Sequence, residues 1–297
     1  MSKRVLITGA FGQLGDAVIL ELQPHFELCA TGCVLPDDGF QFCQNAVMDV
    51  TVKNQVIECI EDFSPDVVVH LASMTDVDGC ELNREKAWNV NVHGTENILN
   101  GLRGSDAKMV FISTDYVFDG TAGPYSEEDV PKPVNYYGKS KLASENSIRG
   151  SDQPWVILRT NVLYGNSSRT LASFVNWVVN SLREEKEIKV VNDQRGNPTW
   201  TAGLAEAIKL SIIMNIQEIL NYGGAEFMTR FEFALRIADV FDLDSRFITP
   251  IATSELNQPA SRPLNSGLST VKIEEVLGLR TYGVDYCLRK VKEGIVA

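Results

Sequence analysis

Over the first 160 residues, short uninterrupted apolar runs alternate with longer stretches in which apolar residues recur every three or four positions. The runs RVLIT, FELCAT, NAVMDV, DVVVHLA, KMVFIS and WVILRT predict β-strands. Segments such as KNQVIECIEDF and EKAWNVNVHGTENILNGL predict the helices between them. A strand covered on both faces reads as a continuous apolar run rather than an alternation, so this rhythm predicts a parallel sheet with helices on both sides. The expected class is α/β, a Rossmann-like doubly wound parallel sheet. After about residue 165 the rhythm loosens. Helices are predicted over 171–183, 202–214, 230–241 and 285–292, with a strand at IKVV. The expected organisation is a main domain over residues 1–165 and a smaller mixed α/β lobe over 166–297, with the chain crossing back between them.

Composition narrows the partners. The 297 residues are 44% hydrophobic, enough for a sizeable core, and the formal net charge is -12. An acidic chain without a basic run repels phosphate backbones and anionic lipid, so neither nucleic acid nor membrane is an expected partner. No apolar run approaches the ~18 residues of a membrane span. Cys29, Cys33, Cys43, Cys59, Cys80 and Cys287 show no C-x-x-C pairing, which suits reduced thiols in a cytoplasm. His25, His70 and His93 are scattered, and no metal site is expected.

Directly after the first predicted strand comes T-G-A-F-G-Q-L-G, with Gly9, Gly12 and Gly15 leading into a predicted helix. A strand that turns tightly into a helix presents free amides at the positive end of the helix dipole, where a pyrophosphate is stabilised. Gly9 permits the turn, Gly12 leaves room for phosphate, and Gly15 lets helix and strand pack closely. This is the fingerprint of a dinucleotide site. Where an acidic residue would read the ribose of NAD, at the end of the second strand, the chain has Gly32 and Cys33. The balance therefore favours NADP(H) over NAD(H), although no arginine follows to clasp a 2′-phosphate. Asp49, after the third strand, is placed to accept from an adenine amine or simply to end a strand.

NYYGKSKLASE at 135–145 offers two tyrosines and two lysines on one predicted helix. Residues three or four apart share a face, so Tyr136 with Lys139 and Tyr137 with Lys141 are equally good pairs by spacing.

VLITGAFGQLG, SMTDVDGCE, ISTDYVFDG, YGKSKLASE, VVNDQRGNPT and PASRPLNSGLS together resemble the extended short-chain dehydrogenase/reductases, and within them the dTDP-4-dehydrorhamnose reductase family. The similarity runs over nearly the whole chain. It implies an NAD(P)H-dependent reductase of a nucleotide-linked 4-keto-6-deoxysugar, with Tyr137 as general acid, Lys141 supporting it and Thr114 holding the carbonyl. Hydride addition to a ketone builds charge on oxygen, so a proton donor must stand beside it. Lys141, together with the positive charge of the oxidised nicotinamide, is expected to lower the phenol pKa from about 10.

The same resemblance implies cofactor contacts from Gly9, Phe11, Gly12, Gln13, Leu14, Gly15, Asp49, Val50, Leu71, Ala72, Ser73, Tyr137 and Lys141. Substrate contacts are implied for Thr75, Val77, Asp78, Asp115, Tyr116 and Asn161. Arg195 and Arg262 either face the nucleotide pyrophosphate or close a salt bridge between lobes. RTNVLYG, with Asn161 and Val162, lacks the pocket aromatic of the family. A homodimer is a further expectation. EED at 127–129 is expected to be a solvated loop.

Two alternatives share the scaffold. A nucleotide-sugar dehydratase would follow the threonine with Asp-Glu, but Tyr116 follows Asp115 here, and an epimerase has no diagnostic residue to test. A non-catalytic cofactor-binding subunit is also implied, because GAEFMTRFEFALRIADVFDL and the later Arg-Pro-x-Asn resemble the regulatory β subunit of methionine adenosyltransferase.

Overall fold

The structure is a computed structural model describing residues 2–167 and 173–296. Six strands build the centre: β1 (Arg4–Thr8), β2 (Glu27–Gly32), β3 (Gln44–Val47), β4 (Val67–His70), β5 (Lys108–Thr114) and β6 (Trp155–Thr160). With the edge strand Ile219–Asn221 they form one seven-stranded sheet, in the order Ile219–Asn221, β6, β5, β4, β1, β2, β3. Every pairing in it is parallel.

The continuous apolar runs have the cause that the pattern predicted. Val5 and Ile7 of β1, Val67 and Val69 of β4, and Val110 and Ile112 of β5 enter one core. Their neighbours Leu6, Val68, Met109 and Phe111 enter another on the opposite face. Successive side chains of a strand point to opposite faces, so only apolar residues are tolerated when both are covered. Helices Gln13–Leu22 and Thr201–Ile213 pack together on the first face, while Lys53–Phe63 and Gly94–Leu102 pair on the second.

The chain beyond residue 165 contributes to two bodies. Helix Thr201–Ile213 and strand Ile219–Asn221 return to the central sheet. Helices Phe174–Arg183, Arg230–Val240 and Val284–Val296 enclose a separate core around Tyr164, Val178, Phe233, Ile237 and Leu288. In that lobe Ile188–Val191 pairs in parallel with Ile248–Ile251. The start of the helix predicted at residue 171 lies outside the described residues.

One predicted helix, over 85–102, is interrupted. Its middle, Asn89–His93, widens into a π turn. The Asn91 carbonyl there accepts from both Thr95 Oγ1 and Ser144 Oγ, each at 2.7 Å. The wider turn thus ties this segment to the helix Tyr136–Arg149.

Candidate active site

Where strand order reverses between β1 and β4, the carboxyl ends of the strands diverge and leave a crevice, the usual ligand position of an open parallel sheet. A cleft of about 930 Å³ opens there. All the predicted cofactor residues line it, from Gly9, Phe11, Gly12, Gln13, Leu14 and Gly15 through Asp49 and Val50 to Leu71, Ala72 and Ser73. Gly9 adopts φ +62°, and a Cβ there would stand 2.7 Å from the Ala72 amide. A Cβ on Gly15 would collide with the Ala10 carbonyl, whereas one on exposed Gly12 would meet only the Gly9 carbonyl at 3.4 Å. The loop is tight inside and open outside, a shape that suits a dinucleotide phosphate. Gly32 and Cys33 line the same cleft. Asp49 uses Oδ1 to accept from the Thr51 amide (2.9 Å) and hydroxyl (2.8 Å), so it also fixes the turn into the next helix.

The helix Tyr136–Arg149 resolves the tie between the two tyrosines. Its N-cap, buried Asn135, accepts from the Gly138 amide at 2.8 Å. From this start Tyr137 and Lys141 face the cleft. Tyr136 turns elsewhere: its ring stands 6.1 Å from that of Trp88, with the Arg84 guanidinium 5.3 Å above it. Lys139 is exposed. Thr114 ends β5 in the same cleft as Tyr137, and its hydroxyl favours the ionised phenol.

The electrostatics overturn one expectation. Lys141 is predicted to acidify Tyr137, but burial, with the Asp115 charge behind it, pushes the phenol up, against the pull of Thr114. Burial also pushes Lys141 down to about 7, with Glu145 opposing. A dry site penalises every ionised form, and here that effect exceeds the attraction of a cation one turn away. Lys141 Nζ lies 4.0 Å above the Phe111 ring. Beneath it, Glu145 is fully buried, accepts from Ser113 Oγ at 2.5 Å, and is gripped by Arg159 Nε (3.0 Å) and Nη2 (2.7 Å).

Asp115 is 3% exposed. Its Oδ1 accepts from Thr114 Oγ1 at 3.1 Å and its Oδ2 from Ser266 Oγ. Burial raises its pKa to about 6. His70 lies under the same floor between Thr8 Oγ1 (2.6 Å) and Thr95 Oγ1 (3.2 Å), and burial and Lys141 hold it at about 3. It is a neutral bridge between strand and helix.

Of the predicted substrate residues, Thr75, Val77, Asp115, Tyr116 and Asn161 line the cleft. The buried Asn161 amide is engaged by the Asn197 backbone, its Nδ2 donating to the carbonyl and its Oδ1 accepting from the amide at 3.1 Å. Arg195 is exposed, stacks 5.0 Å over Phe227, and borders an adjoining niche rather than the cleft itself. Arg262 is committed to Asp78, Nη1 to Oδ1 at 2.9 Å and Nη2 to Oδ2 at 2.8 Å. Of the two roles open to it in the sequence, this fork is the salt bridge.

Two residues escaped the sequence reading. Asn91 accepts with Oδ1 from Ser73 Oγ (3.0 Å) and Met74 N (2.7 Å), and donates with Nδ2 to Ser140 Oγ (2.9 Å). It ties the loop after β4 to the Tyr137 helix. Arg230, first residue of helix Arg230–Val240, lines the cleft from the smaller lobe. No motif marks either one. Glu127 accepts from the Asn221 amide at 2.7 Å, tying the EED loop to the edge strand Ile219–Asn221, while Asp129 closes a turn by accepting from the Ser126 amide at 2.7 Å and hydroxyl at 2.8 Å. Among the described residues no cluster of three or more His, Cys, Asp or Glu is placed to hold a metal, and no helix is long and apolar enough to cross a membrane.

Methionine adenosyltransferase 2 subunit beta of Bos taurus is 35% identical over 287 residues, covering 94% of this chain and 84% of that protein. A probable low-salt glycan biosynthesis reductase, Agl14, of Haloferax volcanii is 30% identical over 92% of this chain and 91% of its own. The crystal structure of dTDP-4-dehydrorhamnose reductase from Bacillus anthracis, in complex with NADP, superposes with a TM-score of 0.89 at 30% identity, covering 99% of this chain and 100% of the other. The family described as RmlD substrate binding domain matches residues 3–292. A glycine loop, a tyrosine-lysine helix and a threonine strand end meeting in one cleft are thus set in a match spanning both lobes, and the chain belongs to the RmlD substrate binding domain family.

Proposed function

We propose that the protein is an NAD(P)H-dependent reductase of a nucleotide-linked 4-keto-6-deoxysugar. The observation that carries this reading is the placement of Tyr137, Thr114 and Lys141 in the same cleft as the glycine loop. The nicotinamide group, when bound, supplies the hydride. Thr114 orients the substrate carbonyl, and Tyr137 gives its proton to the oxygen as negative charge grows there. A raised phenol pKa keeps that proton in place until an alkoxide, which is more basic still, draws it off. Lys141 holds the nicotinamide ribose, and its ammonium form stabilises the phenolate that Tyr137 leaves when its proton has gone to the substrate oxygen. Lack of a carboxylate near Gly32 and Cys33 favours NADP(H). The test is a panel of enzymatically prepared 4-keto nucleotide sugars with NADPH and NADH. Cofactor oxidation with a thymidine- or uridine-linked substrate is the expected result, and silence towards every member refutes the assignment.

A second reading is favoured by the 35% identity to a methionine adenosyltransferase β subunit. On it the chain binds NADP(H) and regulates a synthetase without turning over a sugar. Co-purification with a methionine adenosyltransferase, together with silence in the panel, selects this reading.

A further inference from the structure

We infer that Arg230 is the anion-binding residue of the substrate half of the cleft and grips the diphosphate of a sugar nucleotide. This rests on the sugar-nucleotide reading above. The backbone fixes Arg230 closely, since its amide donates to the Gln194 carbonyl at 3.0 Å and the preceding Thr229 pairs antiparallel with Arg195. The guanidinium lies 5.6 Å above the Phe174 ring, and its charge acts on the Tyr116 phenol, with which it lines both the cleft and the niche.

What distinguishes Arg230 is the lack of a carboxylate partner. Among the described residues the other buried or half-buried arginines each have a carboxylate partner: Glu145 and Asp78 hold Arg159 and Arg262 in two-pronged grips, Arg4 pairs with Glu27, and Arg236 pairs with Glu226 and Asp285. Among the described residues no carboxylate forms an ion pair with Arg230. Asp115 acts on it electrostatically, but both Asp115 oxygens already accept from hydroxyls. Nor does Arg230 serve its helix. The capping box is Thr229 with Glu232, and a cation in the first turn opposes the helix dipole. A half-buried guanidinium kept without an anion is a site for one, and its planar fork matches phosphate oxygens.

Position decides which anion. Arg230 borders both the main cleft and the adjoining niche, where Gln194 and Arg195 also stand, while the glycine-loop residues border the main cleft alone. The ligand at Arg230 is therefore the charged tail of the substrate, not the cofactor pyrophosphate. With Arg262 bound to Asp78, Arg230 takes the role that the sequence offered to Arg262.

Calorimetric titration of thymidine diphosphate and uridine diphosphate into the full chain saturated with NADP+, which blocks the cofactor half, tests this. Arg230→Ala and Arg230→Gln are expected to weaken diphosphate binding about 10- to 100-fold, the loss of a charge-assisted hydrogen bond. Arg230→Lys should fall between, and the NADPH affinity of all three should stay within about two-fold, which also shows that they fold. Affinity should fall less steeply with salt in the Ala and Gln variants than in the wild type. If wild type and variants bind diphosphate equally, Arg230 is not the anion site and the reductase reading stands. If the wild type binds neither diphosphate, both fall. Should Ala and Gln lose NADPH binding as well, Arg230→Lys decides: unaltered diphosphate affinity in it overturns the assignment, and a loss confined to diphosphate supports it.

Discussion

The Asp115 carboxylate raises the proton affinity of the Tyr137 phenol, and Thr114, which lines the cleft with both, is hydrogen-bonded to Asp115. A hydroxyl has one proton to donate. While Thr114 gives it to Asp115 at 3.1 Å, it has none to give to Tyr137. A substrate carbonyl that takes the Thr114 proton therefore competes with Asp115. Replacing Asp115 by Asn removes a charge facing the phenol, so the Tyr137 pKa falls. Reduction requires the protonated phenol and is lost as pH rises through that pKa, so the alkaline limb of kcat/KM for ketone reduction should move to lower pH in Asp115→Asn. An unmoved limb would show that Asp115 does not govern Tyr137.

Asp115 also has a stability signature. Its folded pKa, about 6, lies above its ordinary value of 3.8. Between these values the folded chain binds more protons than the unfolded chain, so this group's contribution to stability decreases as pH rises from 4 to 6. The difference corresponds to a contribution on the order of 3 kcal/mol. Urea unfolding of wild type and Asp115→Asn at pH 4, 5, 6 and 7 should show the variant gaining on the wild type through that window and levelling off above it. A gap that stays constant with pH would mean that Asp115 titrates normally.

The two tyrosines separate by function. Tyr137→Phe should lower ketone reduction by about 10²- to 10⁴-fold, the usual span of one positioned acid, while NADPH binding changes little. Tyr136→Phe, whose ring packs on Trp88 outside the cleft, should keep wild-type turnover. Single-turnover kinetics with fluorescence titration of NADPH measures both effects. Equal activity in the two variants would leave the phenol without a catalytic role.

Sequence pattern carried β1, β2, β4, β5, β6 and the glycine loop because their causes are local. Burial on both faces writes itself into consecutive residues, and a tight strand-to-helix turn needs glycine at fixed offsets. Strand Ile219–Asn221 is three residues long and shows no period, so nothing announces it. Arg230 reads as an ordinary surface cation of an amphipathic helix until the lobe folds back over the cleft. The direction of the Tyr137 shift was likewise hidden. Spacing places Lys141 one turn away, but the sign depends on how dry the pocket is and on Asp115 arriving from β5.

Arg262 and Asp78 join segments 184 positions apart, and their pairing tests whether this contact holds the substrate-side wall. Arg262 is 9% exposed and Asp78 28%, and Asp78 Oδ1 also accepts from the Ala260 amide at 3.1 Å. The neighbouring Ser261 carbonyl accepts from Asn135 Nδ2 at 2.8 Å, at the start of the Tyr137 helix. Cutting the fork thus frees a strap that also reaches the Tyr137 helix. A double-mutant cycle with Arg262→Ala and Asp78→Ala should give a coupling energy of roughly 1 to 3 kcal/mol in urea unfolding, since the pair is two-pronged and partly shielded. Each single variant should cost more than the coupling alone indicates, because it leaves an uncompensated charge behind. If Arg262 instead served phosphate, Arg262→Ala would weaken diphosphate binding while Asp78→Ala would not, and the coupling in unfolding would vanish.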